Sequence, residues 1–261
     1  MDIRRSPSPT FQKSRLSSPL VIIGAVVVAL VLVIVVVVVA TQGSSKAPVA
    51  PPSVSLGETG LSTAVLTQSD VGFGWLAHPP LHAVPASVYT QGPCGSTLWA
   101  HDTGSYSASY VNGSGTAFAH GAVISQILEA PSPAVAAQQA QYLSSSAYLP
   151  CLRQIVAGEA RSLFPPGSVQ SVGGVSAQPL ALAVTSEGAT VTPAFQLTIS
   201  LINSGGANII DDSVRMFSGP YEAALDVSWC TCAPLDPQVV QQDATRVAAL
   251  LGGLPPGGVK G

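Results

Sequence analysis

The sequence predicts an α+β domain: an antiparallel sheet packed against helices, braced by disulfides and preceded by one transmembrane helix. Three observations predict it. An uncharged apolar run extends from Leu20 to Ala40. Beyond it, short alternating apolar segments are flanked by two segments with helix-start signals, the arrangement of an α+β layer structure. All four cysteines also lie beyond the run, where an oxidising compartment would pair them.

The apolar run holds 21 residues, nearly all Val, Ile, Leu or Ala. As a helix it would be roughly 32 Å long, enough for a hydrocarbon core of about 30 Å. Residues 1–19 carry Arg4, Arg5, Lys13 and Arg15 against Asp2, whereas Lys46 is the nearest cation beyond Ala40. The positive-inside bias therefore predicts a cytoplasmic tail, a single-pass span over residues 20–40 and an extracytoplasmic remainder in the cell membrane. A cleaved signal peptide is the rival, because Val38 and Ala40 form a permissive small-residue site before Thr41. The run exceeds the about 7–15 apolar residues of such peptides, which favours an anchor.

After Ala40, six cations face twelve acids, so the outer part is near −6. That balance excludes nucleic acid as a partner class, since phosphate binding needs a cationic surface. Residues 41–59 are rich in Pro, Ser and Gly and read as a partly stiff spacer. The folded domain is expected over residues 60–255, with a short tail at 256–261.

Within the domain, a short helix is expected near Leu61–Leu66, stopping at Val71-Gly72-Phe73-Gly74. Alternating runs follow at Ser105–Val111 and Phe118–Leu128, the second with Phe118, Ala122, Ile124 and Leu128 on one face. Asn112-Gly113-Ser114 reads as a hairpin turn between them. Ser132-Pro133 supplies an N-cap and a first-position proline for a helix to about Ala147. Pro150 should end that element or set a turn before Cys151. Further strands are expected at Leu180–Thr185, Phe195–Ile202, Ile209–Phe217 and Ala223–Trp229. Asp236-Pro237 opens a last helix with Val240, Ala244, Val247 and Leu251 at helical spacing, and Gly252-Gly253 stops it.

Cys94, Cys151, Cys230 and Cys232 allow three connectivities. Cys94–Cys151 is the favoured long-range bridge, because it leaves Cys230 and Cys232 as a local pair. Such a bridge would stabilise the fold by about 4 kcal/mol in the chain-entropy model. Two residues apart on an extended strand lie about 6.6 Å from each other, so a Cys230–Cys232 bridge would need a turn. Crossed pairing with the other two and a soft-metal thiol pair remain alternatives. The chain has only two methionines and no histidine lies near Cys230 and Cys232 in sequence, so a soft-metal site is disfavoured and no metal or cofactor is expected.

The order Leu66-Thr67-Gln68-Ser69-Asp70-Val71, Cys94, strands, an Ala-rich helix Pro133–Ala147, Leu149-Pro150-Cys151 and a closing helix after the final cysteine resembles one family. It is the extracellular sensor domain of mycobacterial receptor serine/threonine kinases of the H type, with related secreted lipoproteins. The resemblance implies a two-disulfide antiparallel sheet with helices around a ligand-binding cleft, in which Cys94 and Cys151 match the first bridge. The family's second bridge joins neighbouring strands. Here Cys230 and Cys232 stand together and Ile209–Phe217 holds no cysteine. The resemblance implies a free-standing sensor-like domain, not a receptor kinase.

Candidate chemistry is sparse. The Pro-Pro between His78 and His82 favours polyproline II, which would set these histidines about 12 Å apart, too far to share a metal. His101-Asp102 and His120 are the histidines a serine hydrolase would draw on, but the Gly-x-Ser-x-Gly elbow is absent. Adjacent Asp211 and Asp212 would face opposite sides of a strand, which opposes joint acid–base work; a turn or strand start is the expected setting. No catalytic residue is assigned. Trp75 and Trp99 are the possible ligand contacts, whereas Trp229, at a strand end, reads as core. The expected function is non-enzymatic recognition of a small-molecule or cell-envelope ligand, or of a protein partner. An extracytoplasmic hydrolase and a structural subunit of a membrane complex are the alternatives.

Overall fold

The computed structural model describes residues 57–77, 99, 102–112, 121–163, 171–185, 188–202, 204–231 and 235–255. The apolar run Leu20–Ala40, residues 41–56 of the expected spacer, His78, His82, Cys94, His101, His120 and Cys232 lie outside the described residues; residues 57–59, expected to be spacer, already belong to the first helix. Among the described residues, no helix is long and apolar enough to cross a membrane.

The chain order is α1 (Gly57–Leu61), a 3-10 turn (Ser62–Ala64), α2 (Gln68–Val71), β1 (Trp75–Ala77), β2 (Gly104–Asn112) and β3 (Gly121–Glu129). Helices α3 (Pro133–Leu143) and α4 (Tyr148–Leu163) follow, then β4 (Ser171–Leu180), β5 (Thr190–Val191), β6 (Ala194–Ile202), β7 (Asn208–Ser218), β8 (Tyr221–Cys230) and α5 (Pro237–Gly252). The eight strands form one sheet in the order β1-β2-β3-β8-β7-β6-β4, with β5 paired to the end of β7. All pairings are antiparallel. The α+β architecture expected from the sequence is what the chain adopts.

Helices cover both faces of this sheet. On one face, Val123, Ile127, Val214, Met216 and Leu225 pack against Val240, Ala244, Val247 and Leu251 of α5 and against Leu61, Ala64 and Leu66. On the other, Leu128, Leu197, Ile199 and Phe217 pack against Ala136 and Leu143 of α3 and Leu152, Val156 and Ala160 of α4. Each fully buried Val, Leu or Ile contributes roughly 1.5–3 kcal/mol relative to its exposed state. Two-sided cover explains why every residue of β3 is buried, not only the expected Ala122, Ile124 and Leu128.

Several local expectations are corrected. The opening helix is split: α1 and the 3-10 turn come first, and α2 starts afresh where Thr67 and Asp70 form a reciprocal capping box. Helix α3 stops at Leu143, short of Ala147, because Ser144 and Ser145 turn their hydroxyls back to the carbonyls of Ala140 and Tyr142. Pro150 does not end an element. It sits in the first turn of α4, where a missing N–H leaves no bond unmade. The strand expected at Leu180–Thr185 is instead β4, which ends at Leu180. Asn112 pairs with Gly121, so eight residues join β2 to β3; of the expected turn Asn112-Gly113-Ser114, Gly113 and Ser114 lie outside the described residues. Ser132 and Asp236 cap α3 and α5 as expected.

Candidate functional site

The centre of the sheet carries its charge on the α3/α4 face, and the register of one hairpin places it there. β7 and β8 are joined by the two residues Gly219-Pro220, with Ser218 opposite Tyr221. Gly219 has a φ of 55°, as the first central residue of a type II′ turn requires. That register sets Arg215 opposite Ala224, whose small side chain leaves room, and puts Glu222 and Asp226 diagonally on either side of the guanidinium. Arg215 donates from one terminal nitrogen to Asp226 Oδ1 at 3.0 Å and to the Val214 carbonyl at 3.1 Å. Its Nε lies 3.9 Å from Glu222 Oε1.

The Glu222 side chain is only 5% exposed and the Asp226 side chain 25%, so the network runs from the interior towards solvent. Trp99, 123 residues away in sequence, donates its indole N–H to Glu222 Oε2 at 2.6 Å. Its ring meets Tyr142 edge-on at 5.9 Å; Tyr142 meets Tyr148 at 6.0 Å, and Tyr148 meets Phe195 at 5.9 Å. An aromatic row formed by Trp99 and one ring each from α3, α4 and β6 thus lies beside the ionic group. Asp102 N–H bonds back to the Trp99 carbonyl at 3.3 Å. Its carboxylate accepts from the buried Gln139 amide of α3 at 2.9 Å.

Acids exceed cations in this region. Burial pushes the Asp102 carboxyl up to about 7, partly offset by the Gln139 bond and reinforced by Glu222. Glu222 is raised by burial against the pull of Trp99 and Arg215. Arg215 is held firmly cationic by Asp226, Tyr148 and Glu222 despite its burial. Burial pushes the Tyr148 phenol up to about 12. Asp211 accepts from Ser228 Oγ, directly opposite on β8, at 2.5 Å and is raised by burial and by Asp226.

Asp211 and Asp212 do face opposite sides, but in the middle of β7 and not at a turn or strand start. Asp212 accepts from Gln196 at 2.9 Å on the α5 face, and burial pushes it up to about 6. Trp75 is buried in the α5-side core, where its ring edge lies against Gly121; a Cβ there would stand 3.3 Å from Trp75 Cη2. Trp229 packs, partly buried, against the same core. Cys151 and Cys230 are both disulfide-bonded. Among the described residues, no group of three or more His, Cys, Asp or Glu could hold a metal.

Sequence reasoning singled out Trp99 and paired Asp102 with His101, but missed Arg215, Glu222, Asp226 and Gln139. The signal was present in alternation: Asp211, Ser213 and Arg215 on one side of Gly219-Pro220, and Glu222, Asp226 and Ser228 on the other, are polar residues at period two.

No family model matches the chain, and no curated protein matches it. Among solved structures it is similar to the extracellular domain of PknH from Mycobacterium tuberculosis. The match has 11% sequence identity and a TM-score of 0.38, and covers 78% of this chain and 97% of that one. The likeness is a weak one, at the level of the fold.

Proposed function

We propose that this chain is a membrane-anchored, extracytoplasmic sensor-like protein that recognises a cell-envelope ligand or a protein partner without catalysing a reaction. Leu20–Ala40 crosses the membrane, residues 1–19 stay in the cytoplasm, and residues 41–56 space the domain from the bilayer. A Cys94–Cys151 bridge ties the segment before β2 to α4. Non-reducing peptide mapping checks that bridge, and a Cys94–Cys230 linkage would refute it.

The observation that carries the reading is the Trp99–Glu222–Arg215–Asp226 network. Burying an ion pair gains little stability over apolar residues of similar volume. A network set mid-sheet, with one acid reaching solvent beside a row of aromatic rings, is the chemistry of a polar recognition surface. In this reading Asp226 meets the ligand, Arg215 holds Asp226 in place, and Trp99, buried in the α3/α4-side core, anchors Glu222.

The test uses the purified full chain in detergent with muropeptide and short-chain amphiphile probes, read by thermal shift and NMR. Binding that weakens at least tenfold in Asp226→Asn, with the fold retained, supports recognition at this face. Hydrolysis of ester probes that disappears on changing His101 or His120 would overturn the reading in favour of a hydrolase. So would an absence of any probe response.

A further inference from the structure

The α5-side face of the sheet is only partly covered. Helix α5 packs on β7 and β8, and the face of β6 and β4 runs on beyond it. There Ser176 and Gln178 of β4, with Ser200 and Ile202 of β6, are exposed. Thr198 of β6, Ile210 of β7 and Trp229 of β8 are half-buried beside them. Strand alternation sets these residues on the side opposite the Arg215 network.

The strand register lines the side chains up in rows. One row is a chain of hydrogen bonds: Gln178 Nε2 donates to Gln196 Oε1 at 2.9 Å, and Gln196 Nε2 donates to Asp212 Oδ1 at 2.9 Å. The Asp212 oxygen accepts, so the Gln196 amide turns its nitrogen inward and its oxygen towards Gln178. Each amide is thereby held in one orientation and keeps a further N–H and a further oxygen lone pair for a ligand. The next row runs Ser176–Thr198–Ile210–Trp229 across four neighbouring strands. Gly121, opposite Trp229 on β3, has no side chain, and the Trp75 ring edge takes that place. This row therefore passes from hydroxyls at the β4 edge to indoles near the middle of the sheet. In the third row Ser200 lies opposite Gly174, so no side chain rises beside it on β4. Ile202 stands at the rim against Gly173, where a Cβ would meet Ile202 Cγ1 at 3.2 Å.

The occupant follows from what this face has and lacks. Asp212 is its one charged residue among those described, and it is buried, although the outer part of the chain is near −6. An anion or a cation would find no exposed counter-charge here. A second copy would need an apolar centre, whereas the exposed groups are hydroxyls and an amide beside a single isoleucine. An extended peptide adds to a sheet edge, yet on the β4 edge Pro179 has no N–H and Arg153 donates to the Val175 carbonyl at 3.4 Å. What fits is a neutral molecule rich in hydroxyls, with apolar C–H faces. The oriented amides and hydroxyls bond to its hydroxyls, and Trp229 with Ile210 takes a C–H face. Strands lie about 4.8 Å apart, close to the length of one pyranose unit, so successive units crossing the sheet meet successive strands.

We propose that the open face of β4, β6 and β7 binds a neutral glycan, its chain laid across the strands from Ser176 to Trp229. This is a second site, on the other side of the sheet from Asp226, and it does not rest on the recognition reading there.

The experiment is an NMR titration of the full chain, in a detergent without a sugar headgroup, with maltohexaose, mannohexaose and xylohexaose. At least one should shift the Trp229 indole N–H and the Gln178 and Gln196 side-chain amides. Gln178→Ala and Ser200→Glu, both at exposed positions, should each weaken that binding at least fivefold, and Asp226→Asn should leave it unchanged. No shift with any of the three sugars, or tighter binding of the anionic hexagalacturonate, would overturn the inference. So would movement of the same resonances with protein concentration alone, which would assign the face to a second copy. Binding lost in Asp226→Asn but kept in Gln178→Ala would overturn it too, while leaving the recognition reading standing. A normal sugar titration alongside silent muropeptide and amphiphile probes would sink only the recognition reading.

Discussion

The two faces of the sheet are built from the same strands but filled differently. Under α5, the central positions of β3, β7 and β8 are dominated by Val123, Ile127, Val214, Met216 and Leu225, with α5 closing over them. Under α3 and α4, the alternate positions of β7 and β8 are Asp211, Arg215, Glu222, Asp226 and Ser228. The apolar cluster there lies to either side of the charges. Strand alternation makes this division possible, because residues on neighbouring positions serve opposite layers. One face thus supplies cohesion, and the other is free to hold groups that contribute little to it.

The largest effect should come from breaking the charged face one-sidedly. Arg215→Met leaves Glu222 and Asp226 without their cation and should lower the unfolding free energy by about 3–5 kcal/mol, measured by urea denaturation. A neutral result would mean that the two acids do not depend on this cation. On the apolar face, Leu251→Ala removes a fully buried side chain from α5. It should cost about 2–5 kcal/mol while leaving the Trp99 indole resonance in place.

Both faces carry buried acids that make the fold respond to pH. Burial pushes Asp102, and likewise Asp243 of α5, up to about 7 from an ordinary value of 3.8, with Asp70 adding to the shift at Asp243. The folded state then binds more protons than the unfolded chain between these values. Stability from these groups is full below about pH 4 and is lost as pH rises through about 7. The melting temperature should therefore fall between pH 5 and pH 8. Asp243→Asn should raise it at pH 8 and leave it unchanged at pH 4. The smallest effect is expected at Gly158 in α4, where an added Cβ meets no atom within 4 Å. Gly158→Ala should stabilise by about 0.5–1 kcal/mol in the same denaturation assay.

The elements that sequence reasoning located are those whose signals are local. Ser132-Pro133 and Asp236-Pro237 cap helices through the Ser132 and Asp236 side chains, and Phe195–Ile202 and Ala223–Trp229 set apolar residues at every second position of β6 and β8. Helix α4 was hidden by Pro150, which reads as a stop yet is compatible with a first turn; Leu152, Val156 and Ala160 at four-residue spacing were the better guide. β4 was hidden because Gly173-Gly174 and a register shift after Val172 dilute its pattern at the sheet edge. The candidate site was only partly legible. Arg215, Glu222 and Asp226 follow from the Gly219-Pro220 turn once its register is fixed. The Trp99–Glu222 and Asp102–Gln139 bonds span 123 and 37 residues, and no local pattern encodes them.

The division of labour between the faces can be tested by one urea unfolding measurement on the triple variant Arg215→Met, Glu222→Gln, Asp226→Leu. These changes remove all three charges together and keep an acceptor for the Trp99 indole. The triple variant should be at least as stable as the wild type, since replacing a buried ion network with groups of similar volume is neutral or stabilising by about 1–4 kcal/mol. A loss of several kcal/mol would show that the charged face holds the fold together, and would contradict the assignment of that face to recognition.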